Sequence, residues 1–210
     1  MPRVALLGDS IFDNAAYTAG GPAVIDHLGS VLPEDWRADL LAVDGAVAAD
    51  VPAQLRRLGA STTHLVLSVG GNDALHRADV LDARVQSSGQ ALLLLAEAAA
   101  DFEARYRQSI SRCLEPGLPL LICTIYNGNF PDRNYRYAVR TALLAFNDVI
   151  LRVATEHDLR VLDLRLVCCT PDDYANPIEP SVQGGAKIAQ AITRALVEGR
   201  FRGRGAHVSA

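Results

Sequence analysis

Three polar segments of the chain each follow a short apolar run that is typical of a buried strand. A serine hydroxyl, a glycine N–H and an asparagine amide at one edge of a sheet are the parts of a nucleophile with an oxyanion hole. Each segment alone also fits an ordinary role, because serine often caps a helix and Gly-Gly-Asn is a common turn composition. Three of them in this order on successive strands favour catalysis. The segments are Gly8-Asp9-Ser10, Asp44-Gly45-Ala46 and Gly70-Gly71-Asn72-Asp73.

The apolar runs alternate with stretches of helical periodicity, and this alternation predicts an α/β fold. Parallel strands that are buried on both faces are continuously apolar, as these runs are. We therefore expect a doubly wound, five-stranded parallel sheet flanked by helices. In such sheets the ligand site lies at the carboxyl ends of the strands, where the polar segments fall. The predicted strands are Val4–Leu7, Leu40–Val43, His64–Val69, Leu118–Ile125 and Arg160–Leu164; the predicted helices are Pro22–Leu32, Asp50–Leu58, Val85–Leu114, Tyr135–His157 and Ser181–Val197.

The composition disfavours several classes of protein. Half of the 210 residues are hydrophobic and 21% are charged, which supplies a core and excludes disorder as the main state. With 20 basic and 24 acidic residues the formal charge is −4, which disfavours nucleic acid as a partner. The apolar run before Gly8 is too short for a signal peptide, and no run approaches the length of a membrane span. We expect a cytoplasmic protein without membrane contact and with reduced cysteines.

The chain is predicted to form one domain, residues 1–198, because neither a repeat nor a Pro/Gly/Ser-rich linker divides it. Only residues 199–210 change in composition and form a short basic tail. Such tails are commonly frayed termini, so we expect this segment to be disordered. Nothing in the residue pattern indicates an oligomeric state.

The polar segments resemble the motifs of the SGNH hydrolases, also called the GDSL esterase/lipase family. Gly8-Asp9-Ser10 matches the first family block, Gly45 the second and Gly70-Gly71-Asn72-Asp73 the third, and residues 176–181 fall where the last block belongs. The resemblance implies a flavodoxin-like three-layer α/β/α sandwich that hydrolyses a small-molecule ester without a metal or other cofactor. It also implies that Ser10 is the nucleophile and that its own N–H, the Gly45 N–H and the Asn72 side chain form the oxyanion hole.

The last family block normally reads Asp-x-x-His, and the sequence departs from it there. Asn176 and Glu179 occupy these two positions, and no histidine lies between His157 and His207 to replace the missing base. In one hypothesis the site has lost its base and only binds a ligand. In the other, Glu179 is the general base and Asn176 orients it by donating an amide hydrogen bond to the carboxylate.

The charge of the pair formed by Asn176 and Glu179 favours the hypothesis that Glu179 is the general base. Neutral histidine with aspartate carries one negative charge, as does glutamate with asparagine, and both pairs become neutral after accepting the serine proton. Glutamate is the weaker base, with an ordinary pKa of about 4.3 against about 6.5, but burial can raise a carboxyl pKa by up to about 3–5. Pro177, Ile178 and Pro180 offer apolar surroundings for Glu179. A third possible base is His76, four residues after Asn72.

Residues outside these motifs carry weaker signals. Tyr126, Asn127 and Phe130 follow the fourth predicted strand, so they should border the site and are candidate substrate-binding residues, although an ordinary polar loop has the same composition. The pair Cys168-Cys169 lacks histidine partners for a zinc site and is expected to be two buried thiols. Lys187, the only lysine, is expected to face solvent.

The sequence thus predicts a serine-dependent hydrolase of carboxylic esters that acts through an acyl-Ser10 intermediate, with Glu179 as an atypical base and Asn176 beside it. The alternative is a non-catalytic module of the same fold that keeps a ligand pocket without turnover. A flavodoxin-like nucleotide-binding protein is a weaker alternative, because Asp9 and Asp13 would repel phosphate after the first strand.

Overall fold

Side chains that alternate along the strands face helices on both sides of a parallel sheet. The computed structural model describes residues 1–197 and 208–209. Its strands are β1 (Arg3–Gly8), β2 (Arg37–Leu40), β3 (His64–Ser68), β4 (Leu120–Cys123), β5 (Arg160–Leu162) and β6 (Val208–Ser209), and its α-helices are α1 (Val24–Val31), α2 (Val51–Leu55), α3 (Gly71–Leu75), α4 (Ser88–Leu114), α5 (Arg133–Glu156), α6 (Leu164–Val167) and α7 (Val182–Val197).

The strand order is β2-β1-β3-β4-β5-β6, and every neighbouring pair is parallel. The first five strands form the flavodoxin-like arrangement, so the predicted five-stranded parallel sheet of an α/β fold is confirmed. β6 is an addition, because Val208 and Ser209 pair with β5. The expectation of a disordered tail over residues 199–210 stays a prediction. The other residues of 199–210 lie outside the described residues.

Two apolar clusters fill the space between the sheet and the helices on its two faces. Leu7 of β1 belongs to one cluster together with Phe102 of α4. Leu6 belongs to the other cluster, together with Leu28 of α1 and Ile188 of α7. Successive side chains of a strand point to opposite faces, so β1 contributes to both clusters. The layers are therefore helix, sheet and helix, as the family resemblance implies.

The second strand lies three residues earlier in the chain than predicted. β2 pairs with β1 so that Arg37 lies opposite Arg3 and Leu40 lies opposite Leu6. It is an edge strand with partly exposed residues, and Asp39 forms an ion pair with Arg3 at 2.7 Å. Because an edge strand meets solvent, its sequence is not continuously apolar, and the apolar run that follows it was a misleading signal.

The five predicted helices are present, and the short helices α3 and α6 add to them. Side chains begin the two longest helices as caps: Ser87 Oγ accepts a hydrogen bond from Gln90 N at α4, and the Asp132 carboxylate accepts one from Tyr135 N at α5. None of the helices within the described residues has the length and apolar character needed to cross a membrane.

Helix α7 packs directly against the turn that precedes Glu179. A Cβ atom at Gly184 would lie 2.1 Å from Asp173 O and 3.0 Å from Asp173 C. Asp173 O also accepts a hydrogen bond from Ser181 N at 2.9 Å, which joins the turn to the start of the helix. The absence of a side chain at Gly184 therefore allows α7 to approach this turn.

We expect Gly184→Ala to lower the free energy of unfolding by about 1–3 kcal/mol, because the added methyl group must push α7 away from the Asp173 carbonyl. Urea denaturation followed by circular dichroism measures the change. Gly29→Ala is the matched control: the same methyl group on α1 meets nothing within 4 Å and should raise stability by about 0.4–1 kcal/mol. Equal effects of the two substitutions would contradict the close approach of α7.

Candidate active site

β1 ends where the strand order of the sheet reverses, with β2 on one side and β3 on the other. Loops that leave the sheet at such a point diverge and open a crevice. Gly8 has a φ of +125°, and a Cβ atom there would lie 1.8 Å from Ser68 O of β3. Glycine is therefore required at this crossing. Asp9 and Ser10 follow it directly into the crevice.

A buried glutamine that belongs to none of the sequence motifs fixes the end of β1. Gln54 of α2 is 3% exposed. Its Oε1 accepts a hydrogen bond from Gly8 N at 2.8 Å, and its Nε2 donates one to Gly8 O at 2.7 Å. One side chain thus satisfies both polar backbone groups of Gly8 and ties them to α2. A polar residue among the apolar neighbours of a short helix is the sequence signal that points to it.

Ser10 and Glu179 are in direct contact, although 169 positions separate them in the chain. Ser10 Oγ donates a hydrogen bond to Glu179 Oε1 at 3.0 Å. Ser10 is 7% exposed and Glu179 is 5% exposed, so little water reaches the pair. The other carboxylate oxygen, Oε2, is buried and has no hydrogen-bond partner among the described residues. The distance is within the range that proton transfer from a hydroxyl to a base requires.

Two carboxyl groups beside the Ser10 hydroxyl have raised pKa values. Burial raises the pKa of Glu179 to about 7; the hydrogen bond from Ser10 opposes this rise, and the charge of Asp44 adds to it. Burial also raises the pKa of Asp9 to about 7, against the hydrogen bond that its carboxylate accepts from Ile11 N, and the charge of Glu179 raises it further. A carboxyl group with a pKa near neutrality is a stronger base than an exposed one.

The expected hydrogen bond from the Asn176 amide to the Glu179 carboxylate is wrong. Asn176 is exposed, and its Oδ1 accepts hydrogen bonds at 2.9 Å from both Ile178 N and Glu179 N. The side chain therefore closes a turn in its own loop, as asparagine side chains commonly do. Asn176 fixes the backbone from which the Glu179 side chain starts rather than the carboxylate itself.

A buried aspartate holds the base of the loop that carries Glu179. The Oδ2 atom of Asp173 accepts hydrogen bonds from Cys169 N, Thr170 N and Thr170 Oγ1 at 2.9 to 3.0 Å. Lys187 Nζ lies 2.6 Å from Asp173 Oδ1 and its side chain is 36% exposed, so the lysine that was expected to face solvent also pairs with a buried carboxylate. Burial alone would raise the pKa of Asp173, but Lys187 and Thr170 outweigh burial and the pKa is lowered. The ionised carboxylate thus anchors the loop.

The loops that carry the candidate oxyanion-hole residues are joined by hydrogen bonds. Asn72 Nδ2 donates to Ala46 O at 2.9 Å, which links the start of α3 to the turn containing Gly45. Asp73 Oδ2 accepts a hydrogen bond from Ala48 N at 2.9 Å and strengthens the same link. Asp73 therefore braces this loop through its carboxylate.

Three N–H donors near the loops are available to a ligand. No hydrogen bond runs from Ser10 N or from Gly45 N to another residue in the part of the chain that the structure describes. The Asn72 amide has a second hydrogen besides the one used by Ala46 O. Asn72 lines the same cavity as Ser10, whereas Gly45 lines a neighbouring pocket beside Gln54. The Ser10 and Asn72 donors are therefore on the wall of the cavity, and the Gly45 donor lies in the pocket beside it.

The loop after β4 contacts the loop that carries the glutamate. Tyr126 OH donates a hydrogen bond to Ile178 O at 2.5 Å. Tyr126, Asn127 and Phe130 also line the cavity that contains Ser10, so the three candidate substrate-binding residues form part of its wall. Tyr126 has a structural function in addition, because its hydroxyl group is bound to the neighbouring loop.

His76, the third possible base, and the pair Cys168-Cys169 take no part in the contact between Ser10 and Glu179. His76 is exposed at the C-terminal end of α3, and its backbone N–H donates to Asn72 O at 2.9 Å. Cys168 is buried and Cys169 is exposed, so the expectation of two buried thiols is right only for the first. Among the described residues, no group of three or more histidine, cysteine, aspartate and glutamate side chains is placed to hold a metal ion.

The loops after the first three strands of the parallel sheet carry the motifs that resemble the SGNH hydrolases. The model of the GDSL-like Lipase/Acylhydrolase family matches residues 6–187. The chain therefore belongs to this family of hydrolases. The match extends from β1 into α7 and includes every candidate catalytic and oxyanion-hole residue, and the resemblance inferred from the motifs is confirmed.

Solved structures of similar fold cover nearly the whole chain. An extracellular lipase from Streptomyces rimosus is 18% identical, with 95% of this chain and 100% of the lipase covered and a TM-score of 0.68. A phospholipase A1 from Streptomyces albidoflavus NA297 is also 18% identical, with 94% and 99% covered and a TM-score of 0.68. An acetylxylan esterase from Geobacillus stearothermophilus is 19% identical, with 93% and 94% covered and a TM-score of 0.65. At these identities the likeness establishes the fold. A comparison with curated protein sequences finds no match.

We expect Glu179→Gln to stabilise the fold above neutral pH. Because the pKa of Glu179 rises from an ordinary 4.5 to about 7 on folding, the folded state holds a proton between these pH values that the unfolded state has lost. The wild-type free energy of unfolding should fall across this window as pH rises; the variant should lack the part of this fall that Glu179 contributes and keep the part that the raised pKa of Asp9 contributes. Urea denaturation at pH 8 should show a gain of about 2–3 kcal/mol for the variant.

The control for this measurement is Glu97→Gln, which removes an exposed carboxylate from α4 and should change stability by less than about 0.5 kcal/mol at every pH. A Glu179→Gln variant that is less stable than the wild type at pH 8 would show that burial of the ionised Glu179 carboxylate does not destabilise the folded state.

We expect Gln54→Leu to lower the free energy of unfolding by about 1–3 kcal/mol, because Gly8 N would lose its partner in a buried place and Gly8 O would keep only the hydrogen bond from Val43 N. Thermal and urea denaturation measure this loss. Gln108→Leu on the exposed face of α4 is the matched control and should stay within about 0.5 kcal/mol of the wild type. Similar losses of stability in both variants would argue against a stabilising role for the hydrogen bonds between Gln54 and Gly8.

Proposed function

We propose that the protein is a serine-dependent hydrolase of carboxylic esters that acts through an acyl-Ser10 intermediate, with Glu179 as the general base. The observation that carries this proposal is the buried hydrogen bond of 3.0 Å from Ser10 Oγ to Glu179 Oε1. A serine hydroxyl is a weak nucleophile until a neighbouring base accepts its proton. Membership of a hydrolase family supports the same reaction class.

In the first half of the proposed reaction, Ser10 Oγ attacks the carbonyl carbon of the ester while its proton moves to Glu179 Oε1. The carbonyl oxygen becomes an oxyanion, which the N–H groups of Ser10 and Gly45 and the free amide hydrogen of Asn72 stabilise. Glu179 then gives its proton to the alcohol oxygen as the carbon–oxygen bond of the ester breaks. The alcohol leaves, and the acyl group remains on Ser10.

In the second half, a water molecule attacks the carbonyl carbon of the acyl group, and Glu179 accepts the proton of this water. The bond between the acyl carbon and Ser10 Oγ breaks, and Glu179 returns the proton to the serine oxygen. The carboxylic acid leaves and the site is restored. Asn176 serves this cycle as a positioning residue, because its side chain fixes the backbone N–H of Glu179.

The raised pKa of Glu179 supports its assignment as the base. An exposed glutamate would be a much weaker base than the histidine that other family members have at this position, whereas a pKa of about 7 equals or exceeds the ordinary value of about 6.5 for histidine. The carboxylates of Asp9, Asp13 and Asp44 around the same loops disfavour a phosphate ligand, which argues against a nucleotide-binding protein.

We expect the wild type to hydrolyse p-nitrophenyl acetate. Ser10→Ala should reduce kcat/KM by at least about 10³-fold, and Glu179→Gln should reduce it by about 10²–10⁴-fold. Because the base must be deprotonated, the wild-type kcat/KM should fall about tenfold for each pH unit below about 7. The exposed Glu97→Gln variant should keep the wild-type rate and profile.

The double variant Asn176→Asp with Glu179→His restores the usual family pair and should retain activity with its acid limb moved toward the histidine pKa. Full activity of Glu179→Gln would overturn the assignment of the base. A wild-type protein that binds esters without turning them over would instead favour the non-catalytic module.

A further inference from the structure

The cavity that contains Ser10 and Glu179 extends over the face of the sheet that α4 and α5 cover. Its lining changes in character along the way. Polar groups surround Ser10, while the part formed by α3, the turn after it, α4 and α5 is lined by aliphatic and aromatic side chains. The main ones are Leu75, Val80, Leu81, Leu95, Leu143 and Phe146.

The charged side chains on the cavity wall do not interrupt this apolar part. Asp9 and Glu179 lie at the polar end, beside Ser10. Arg77 is the third charged residue of the described lining, and its guanidinium group pairs with Asp101 at 3.1 Å and with Asp79 at 3.7 Å. A sugar needs several hydrogen-bond partners, whereas this surface offers van der Waals contact to hydrocarbon.

The chemistry of the proposed base decides which half of the ester meets this surface. Glu179 must hand its proton to the leaving oxygen, so the alcohol lies on the side of the glutamate. On that side the loop after β4 packs against the glutamate loop, since Tyr126 OH bonds Ile178 O and Asn129 N bonds Pro177 O at 2.8 Å. The acyl group then extends in the other direction, toward α3, α4 and α5.

We propose that the apolar part of the cavity is an acyl-chain pocket and that the substrates are esters whose acyl group is a hydrocarbon chain of several carbons. This inference rests on the proposed function, because it takes Ser10 as the nucleophile and Glu179 as the base. Leu75 of α3 lines the cavity and is 38% exposed, so the wall of the pocket reaches the surface at this helix.

Two alanines leave room for the chain between the helices. Ala98 of α4 is 1% exposed and Ala142 of α5 is half-buried, and both line the cavity. Their side chains end at Cβ, so a larger residue at either position would occupy the volume that the acyl chain uses. Ala142 is the better position for substitution, because it is not sealed in the core as Ala98 is.

The test compares kcat/KM for p-nitrophenyl acetate, butyrate and hexanoate. The wild type should prefer hexanoate over acetate by about 10- to 100-fold, because each buried methylene contributes up to about fourfold. Ala142→Phe should lower the ratio of kcat/KM for hexanoate to that for acetate at least tenfold; Ala142→Leu should give an intermediate result. Ala138→Phe is the matched control, since it adds the same ring to an exposed position of α5, and should keep the wild-type preference.

The possible failures are distinguishable. Hydrolysis of acetate at equal or higher kcat/KM than hexanoate, unchanged in Ala142→Phe, would overturn the acyl pocket and leave the proposed function standing. Absence of turnover for all three esters in the wild type would overturn the proposed function. The pocket is then tested by titration calorimetry with the uncharged hexanamide and octanamide: tighter binding of octanamide, lost in Ala142→Phe but not in Ala138→Phe, supports it, and no binding refutes it.

Discussion

A carboxylate that the protein keeps away from water, with one of its oxygens unpaired, is the feature on which the site depends. Desolvation of a charged group is unfavourable, so the glutamate loop has to be held in place by other contacts. The exposed Asn176 side chain accepts a hydrogen bond from the backbone N–H of Glu179, and the ion pair of Asp173 with Lys187 anchors the start of the loop. The burial that makes the carboxyl group of Glu179 basic also works against folding, as is common for groups at functional sites.

Buried amide side chains secure the loops at the carboxyl edge of the sheet from three directions. Gln54 holds the end of β1, Asn147 exchanges two hydrogen bonds of 2.8 and 2.9 Å with the backbone of Ile125 after β4, and Asn14 donates to Pro180 O at 3.3 Å. An amide carries both a donor and an acceptor, so one side chain can satisfy two groups of irregular backbone. Loops fixed in this way can present side chains with the precision of a regular element.

Local patterns in the sequence were sufficient for the sheet and for the order of the motifs, because parallel strands end at one edge and bring their following residues together. The resemblance to the last family block, and not the local pattern, suggested that Glu179 meets Ser10. The pattern was wrong about Asn176, since an asparagine side chain finds hydrogen-bond partners in its own turn before it reaches a neighbouring carboxylate. It did not predict the role of Asp173, which comes from tertiary contacts, and for Gln54 it offered only a polar residue among the apolar neighbours of a short helix.

The Gln54 contact has a consequence for how the molecule opens. The backbone N–H of Gly8 is held by a side chain from α2 rather than by an adjacent strand. Its hydrogen can therefore exchange with deuterium only when α2 moves away from the sheet or the whole domain unfolds. The last residue of β1 and this short helix should therefore open together. Hydrogen exchange at the Gly8 amide then reports how often α2 separates from the strand end that precedes Ser10.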